Sequence, residues 1–368
     1  MAERHGNSSA PERLAQALRF PTVSYEDRST MDMDAFEEFT AFLGRSFPLV
    51  HRRLEWERMG ELGLLYWLPG TEEELDPVLF LAHYDVVPPG DETAWSHPPF
   101  SGDIVDGYIW GRGALDDKGV LMAILEALER RLEAGFSPQR GIYLALGGDE
   151  EVFGTQGAAR IAATLARRGL HFCAVFDEGM VVAHRMLPFL GPPAALVGIA
   201  EKGYADVRLT ARSGGGHAAM PPVETAISLL AGAIRRAIRP RRRDRLHPVV
   251  ADFFRVVAHA VGSPLSFVLR YPRLFAPLLV HILTRGATTR ALVRTTVAPT
   301  VIQGGEAANV LPPEASVVLN CRLLPGHSVE ELLTELGKAV SGRYGENLRV
   351  ELHNSKTACE PVEASSTE

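Results

Sequence analysis

Three apolar runs in the first half of the chain each end in ionisable side chains, and that arrangement restricts the fold more than any other feature. DPVLFLAHYDVV carries His83-Tyr84-Asp85, GIYLALGGDEE ends on Asp149-Glu150-Glu151, and HFCAVFDEG ends on Asp177-Glu178. Short, continuous apolar runs are the mark of strands buried on both faces. Helical segments separate them. In GVLMAILEALERRLEAG, residues Leu121, Ile124, Leu125, Leu128 and Leu132 share one face, and Gly135 stops the helix; GAARIAATLARRG reads as a second helix. Strand and helix in alternation predict an α/β fold with a parallel sheet and crossover helices. Ligands of such sheets collect beyond the carboxyl ends of the strands. The three clusters should therefore meet at one edge. A fourth, Asp116-Asp117, lies in the turn GRGALDDKG just before the first of these helices.

Each cluster alone has an ordinary explanation. An Asp pair before a helix is a common cap, an acidic loop is usually just solvated, and a strand-end histidine can simply be hydrogen-bonded. Four together are different, because carboxylates crowded at one edge repel each other unless protons or cations intervene. A dinuclear metal site with nitrogen and oxygen ligands resolves that repulsion, and zinc suits the ligand set.

From about Ala200 the pattern changes. YADVRLTAR alternates like a half-exposed strand, 223–238 reads as a helix, and VAPTVIQGG and SVVLNCRLLP follow as strands. SVEELLTELGKAVSG is a helix opened by a Ser328/Glu331 capping box, and LRVELHNS is a last strand. The order β-α-β-β-α-β is the ferredoxin-like split pattern. These readings place a first domain at 1–199 with a polar tail to about Ala10. A second domain follows at 200–356, with an insert at about 239–296, and 357–368 shows no core-forming pattern.

Composition excludes several classes of function. The formal charge is −7, and the basic run PRRRDR that opens the insert has no interleaved aromatics, so no nucleic-acid partner is expected. Cys173, Cys321 and Cys359 are too few and too scattered for a disulfide framework or a thiolate zinc site. The N-terminus has no apolar leader-like segment, and the longest apolar-rich stretch, Leu274–Leu283, is too short to span a bilayer. The expectation is a soluble, cytoplasmic protein with no membrane partner.

From about residue 10 to 356 the chain resembles the zinc peptidases that include aminoacylases, carboxypeptidase S and the glutamate-releasing carboxypeptidases. It is most similar to the carboxypeptidase S-like and N-acyl-amino-acid hydrolase branches. The resemblance rests on LFLAHYDVVP, WSHPPFSGDIVDGYIWGRGALDDKG, GGDEEVFGTQGA and FDEG, with GGGHAAMPP, GGEAANVLP and NCRLLPG from the second half. It implies a parallel-sheet di-zinc catalytic domain with an inserted ferredoxin-like lid. His83 would bind one zinc, Asp116 would bridge both ions and Glu151 would bind the other. One of Asp177 and Glu178 would complete the set, with Asp177 the first choice. Asp85 would orient the His83 ring, and Glu150 would act as general base toward the water that zinc activates. His217 would reach the oxyanion, while Asn309 and Arg322 would contact the substrate carboxylate and backbone.

The implied substrate is a dipeptide or N-acyl amino acid, cleaved at the amide next to a free carboxylate, and a homodimer through the lid is in keeping with the family. One further zinc-binding His is expected on a later stretch of the catalytic domain. The remaining candidates, His327 and His353, lie in no matching motif. The resemblance therefore implies a C-terminally truncated member, and its alternative reading is a weakly active or non-catalytic fragment that keeps partial zinc binding.

Overall fold

A computed structural model describes residues 9–179, 182–183, 193–239, 244–355 and 358–364, with backbone alone at 183 and 341–344. The first four residues of PRRRDR, most of the N-terminal tail and parts of 357–368 lie outside the described residues. The chain divides into two compact units, Met1–Gly179 and Met180–Glu368, so the first division falls earlier than the 199/200 boundary read from sequence.

The first unit begins with helices α1 (Ala10–Ala17), α2 (Met33–Ser46) and α3 (Pro48–Arg53). Strands β1 (Glu55–Met59), β2 (Gly63–Leu68) and β3 (Val78–His83) follow, then the small hairpin β4 (Asp103–Val105) and β5 (Tyr108–Trp110). Helix α4 (Lys118–Glu133), β6 (Ile142–Gly147), α5 (Ala158–Arg167) and β7 (Ala174–Phe176) complete it. The sheet order is β1-β2-β6-β3-β7. β3 runs parallel to both β6 and β7, as expected from the apolar runs, whereas β1 and β2 add an antiparallel margin that the sequence reading did not assign.

Side chains of successive strand residues point to opposite faces, and both faces are covered. Leu144 and Leu146 of β6 join Phe39, Leu43 and Phe47 and the α4 residues Leu121, Leu125, Leu128 and Leu132 on one side. Ala145 joins Leu65, Leu79, Ile161 and Leu165 on the other. Each fully buried Leu or Phe contributes roughly 1.5–3 kcal/mol, which fixes the sheet between its helices. α4 stops where expected: Gly135 takes φ +78°, a left-handed turn that a side chain would resist.

The second unit is built on β8 (Gly203–Arg212), α6 (Ala226–Ala237), β9 (Thr296–Gln303), β10 (Glu314–Leu323), α11 (Val329–Tyr344) and β11 (Leu348–Leu352). Between α6 and β9 the insert contributes α7 (Pro248–Val257), α8 (Leu265–Arg270), α9 (Ala276–Leu283) and α10 (Ala287–Arg290). The antiparallel sheet runs β9-β10-β8-β11, the ferredoxin-like order. α6 and α11 pack on one face of it, over Ala205, Val207, Leu209, Leu319 and Leu323. The capping box is present: Ser328 N–H donates to Glu331 Oε2 at 3.0 Å and Glu331 N–H donates to Ser328 Oγ at 3.1 Å.

Candidate metal centre

Because β3, β6 and β7 are parallel, their carboxyl ends deliver His83, the Asp149-Glu150-Glu151 turn and the Asp177-Glu178 turn to one edge of the first unit. The turn before α4 brings Asp116 there as well. His83 Nε2 lies 2.9 Å from Asp116 Oδ1, 3.5 Å from Glu178 Oε2 and 3.9 Å from Glu150 Oε2. One donor atom each from His83, Asp116 and Glu178 falls within 4.8 Å of the others. Among the described residues this is the one His/Cys/Asp/Glu group so arranged, and the donor set, one imidazole nitrogen and two carboxylates, fits a divalent ion such as zinc.

The floor of the site is buried and its rim is open. The His83 side chain is 3% exposed and that of Asp85 0%, whereas Asp116 and Glu150 are 67% and 52% exposed. Asp85 organises the floor. Its Oδ1 lies 3.2 Å from His83 Nδ1 and also accepts from Glu150 N–H at 3.0 Å. Its Oδ2 accepts from Glu151 N–H at 3.1 Å and Ser24 Oγ–H at 2.7 Å. A proton on Nδ1, facing Asp85, leaves Nε2 as the ring's free donor toward the cluster.

Electrostatics mark the same point. Burial lowers the His83 pKa, but hydrogen bonds with Asp85 and Glu178 reverse that and push it up to about 12. Without a metal, the imidazolium itself is the cation of the cluster. Burial, then the neighbouring carboxylates Glu178 and Glu151, lift Glu150 to about 7, against the partial opposition of His83. Burial and Glu178 lift Asp117 to about 7. Burial also raises Glu151, with Asp116 the next cause, and raises Asp177. Groups held this way favour an added positive charge.

Not every candidate from the sequence joins the group. Of the last pair, Glu178 faces His83, while Asp177 Oδ1 accepts from Glu178 N–H at 2.9 Å. Glu151 is tied to Asp85 through its backbone, and its carboxylate is not among the three clustered donors. In the second unit, His217 pairs across a two-residue ladder with Val310, and Ala218 N–H donates to Asn309 O at 3.0 Å, so His217 and Asn309 are neighbours. Arg322 sits on β10 opposite Tyr204, its guanidinium 4.7 Å from the ring centre.

Two contributors to the site were not assigned roles from sequence. Asp117 is fully buried, its Oδ2 accepts from His83 N–H at 3.1 Å, and its Oδ1 has no hydrogen-bond partner among the described residues. Its membership of an acidic pair was the available signal. Ser24, on Asp85, gave none.

The sequence pattern of peptidase family M20/M25/M40 matches residues 79–336. The probable carboxypeptidase S-like 2 of Dictyostelium discoideum is 38% identical over 97% of this chain and 68% of its own length. The N-fatty-acyl-amino acid synthase/hydrolase PM20D1 of Xenopus tropicalis is 38% identical over 88% of this chain and 63% of its own. The chain thus spans about two thirds of the length of these relatives. Among solved structures, an M20 family metallo-carboxypeptidase from Sulfolobus solfataricus shares the fold with a TM-score of 0.70 at 20% identity, over 98% of this chain and 80% of that one.

Proposed function

Because the chain belongs to peptidase family M20/M25/M40, we propose that it acts as a zinc hydrolase. Its reaction is cleavage of the amide that joins an acyl or aminoacyl group to an amino acid with a free carboxylate. The observation that carries this reading is the convergence of His83 Nε2, Asp116 and Glu178, with Glu150 at 3.9 Å from the same ring nitrogen.

His83, Asp116 and Glu178 would hold the ion, with Glu178 assigned in preference to Asp177. A second ion would be held by Asp116 and Glu151, whose carboxyl is raised first by burial and next by the charge of Asp116. A divalent ion there supplies Lewis-acid charge to the scissile carbonyl and acidifies water. Glu150 takes a proton from the attacking water and returns it to the leaving amine nitrogen as the carbon–nitrogen bond breaks, giving a carboxylic acid and an amine. A carboxyl near pH 7 suits that exchange. In the second unit, the roles are an oxyanion donor for His217 and a carboxylate clamp for Arg322, whose planar fork can donate two parallel hydrogen bonds. Asn309 contacts the substrate backbone, and pairing of two copies through this unit is the accompanying assembly.

Both relatives' names point to substrates with an amide next to a carboxylate, a carboxypeptidase on one side and an N-fatty-acyl-amino acid hydrolase on the other. Leu115, beside Asp116, and Phe153, just past Glu151, are exposed apolar side chains on the ligand-bearing turns and suit an acyl chain. The test is metal analysis of the purified chain with hydrolysis of a panel of N-acyl amino acids and dipeptides. Zinc that is retained by Glu150→Gln while turnover disappears supports the reading. Absence of zinc binding, or unchanged turnover in Glu150→Gln, ends it.

A further inference from the structure

The insert of the second unit presents apolar side chains in a stretch of sequence rich in arginine and free of acidic residues. α9 reads APLLVHIL, apolar on nearly every face, and such a helix is normally covered on all sides. Its inner side is covered: Leu279 packs with Phe254, Val257 and Leu269, and Leu283 lies against the same cluster. Its outer side is bare. Leu278 and Ile282, one turn apart, are exposed; upstream, the exposed rings of Phe267 and Tyr271 lie 5.2 Å apart, and Leu274 between the two helices is 73% exposed. Five large apolar side chains exposed between Phe267 and Ile282 exceed the scattered exposure usual for a soluble surface.

The charge of this stretch is one-sided. From Phe253 to Gly305 the sequence contains six Arg and no Asp or Glu, in a chain with 45 acidic residues and a net charge of −7. Arg270, Arg273 and Arg285 are exposed within it. A second copy of the same face would set arginine against arginine, since a two-fold interface pairs a patch with itself. A negatively charged, apolar-cored surface is complementary to both features. No helix among the described residues is long and apolar enough to cross a membrane, so the contact is peripheral.

We propose that the α8–α9 face of the insert docks on the surface of anionic lipid bilayers, with Phe267, Tyr271, Leu274, Leu278 and Ile282 entering the interface and Arg270 and Arg273 meeting the headgroups. This departs from the sequence expectation of no membrane partner, and it does not depend on the catalytic reading.

The test is co-sedimentation of the full chain with vesicles of phosphatidylcholine alone and of phosphatidylcholine mixed with phosphatidylglycerol. The expected result is binding to the mixed vesicles that weakens with salt. Leu274→Asp with Leu278→Asp should weaken it at least tenfold, and Arg270→Gln and Arg273→Gln about fivefold each. The arginines are exposed, so their variants keep the test decisive if the leucine variant unfolds. Absence of binding to mixed vesicles, equal binding to neutral ones, or arginine variants that bind like the parent overturns the proposal. So does a lipid-free dimer that Leu274→Asp with Leu278→Asp converts to a folded monomer, since a second copy would then be the occupant.

Discussion

Asp85 Oδ1 lies 3.2 Å from His83 Nδ1, and the same fully buried carboxylate accepts the backbone N–H groups of both Glu150 and Glu151. The backbone carbonyl of Asp85 also faces His83 Nδ1, at 3.1 Å, so this residue sets the histidine's tautomer through backbone and side chain, and its carboxylate fixes the turn that carries the proposed general base. Asp85→Asn keeps the shape but replaces an acceptor oxygen with a donor that conflicts with those amides. Partners that orient a metal-binding histidine are worth about 10–100-fold in metal affinity. The expected outcome is a zinc affinity lower by that factor, measured by chelator competition. An unchanged affinity would show that the ring is oriented by other contacts.

Metal binding should release protons. His83 is held protonated up to about 12 in the metal-free chain, with its burial overcome by hydrogen bonds to Asp85 and Glu178, and a coordinating imidazole must give up that charge. Zinc titrations by calorimetry, in two buffers of different ionisation heat near neutral pH, are expected to show at least one proton released per ion. Affinity accordingly rises with pH, by about tenfold per unit for each proton displaced. Heats that do not depend on the buffer would contradict this.

Ser24 is 2% exposed and donates to Asp85 Oδ2 at 2.7 Å, tying the N-terminal segment to the floor of the site. Hydrogen bonds to charged groups contribute about 1.5–3 kcal/mol. Ser24→Ala removes a donor from a buried carboxylate and is expected to lower unfolding stability by about that much, read by urea titration with chelator present. Ser24→Thr keeps the hydroxyl and should recover most of the loss. Equal losses in the two variants would assign the effect to packing instead.

Much of this architecture can be read from the residues because its signals are local. Continuous apolar runs separated by amphipathic helices specify the parallel strands, and Gly135 and Ser328 mark helix ends at the positions where the chain turns. The antiparallel margin is less legible: EWERM is short, mostly exposed and weakly alternating, and pairing with β2 makes it a strand. At the site, convergence on one sheet edge follows from strand direction, but the choice between Asp177 and Glu178 does not. It depends on a turn in which Asp177 folds back on its neighbour's N–H. Asp117 looks like a helix cap in sequence, yet its side chain makes no cap bond and supports the His83 backbone instead. Ser24 meets Asp85 only through the tertiary fold, so no local pattern marks it.

Lys118 gives the chain a distinctive pH response. It is fully buried, its Nζ donates to Ala17 O at 3.2 Å and Phe20 O at 2.6 Å, and it lies 4.8 Å from the centre of the Phe39 ring. Burial lowers its pKa from 10.5 to about 7, with Asp85 opposing. Between those values the unfolded chain carries a proton that the folded chain lacks. Stability therefore rises with pH across that window, by up to about 1.4 kcal/mol per unit from this group. Below pH 7 both states are protonated and the contribution is constant at its least favourable. Lys118→Met removes the titration without removing bulk. With chelator present, urea unfolding at pH 8 and pH 9.5 should show the parent gaining about 2 kcal/mol more than the variant. Parallel pH dependence in the two proteins would mean that the buried amine keeps its proton throughout, held by the two carbonyls and the ring.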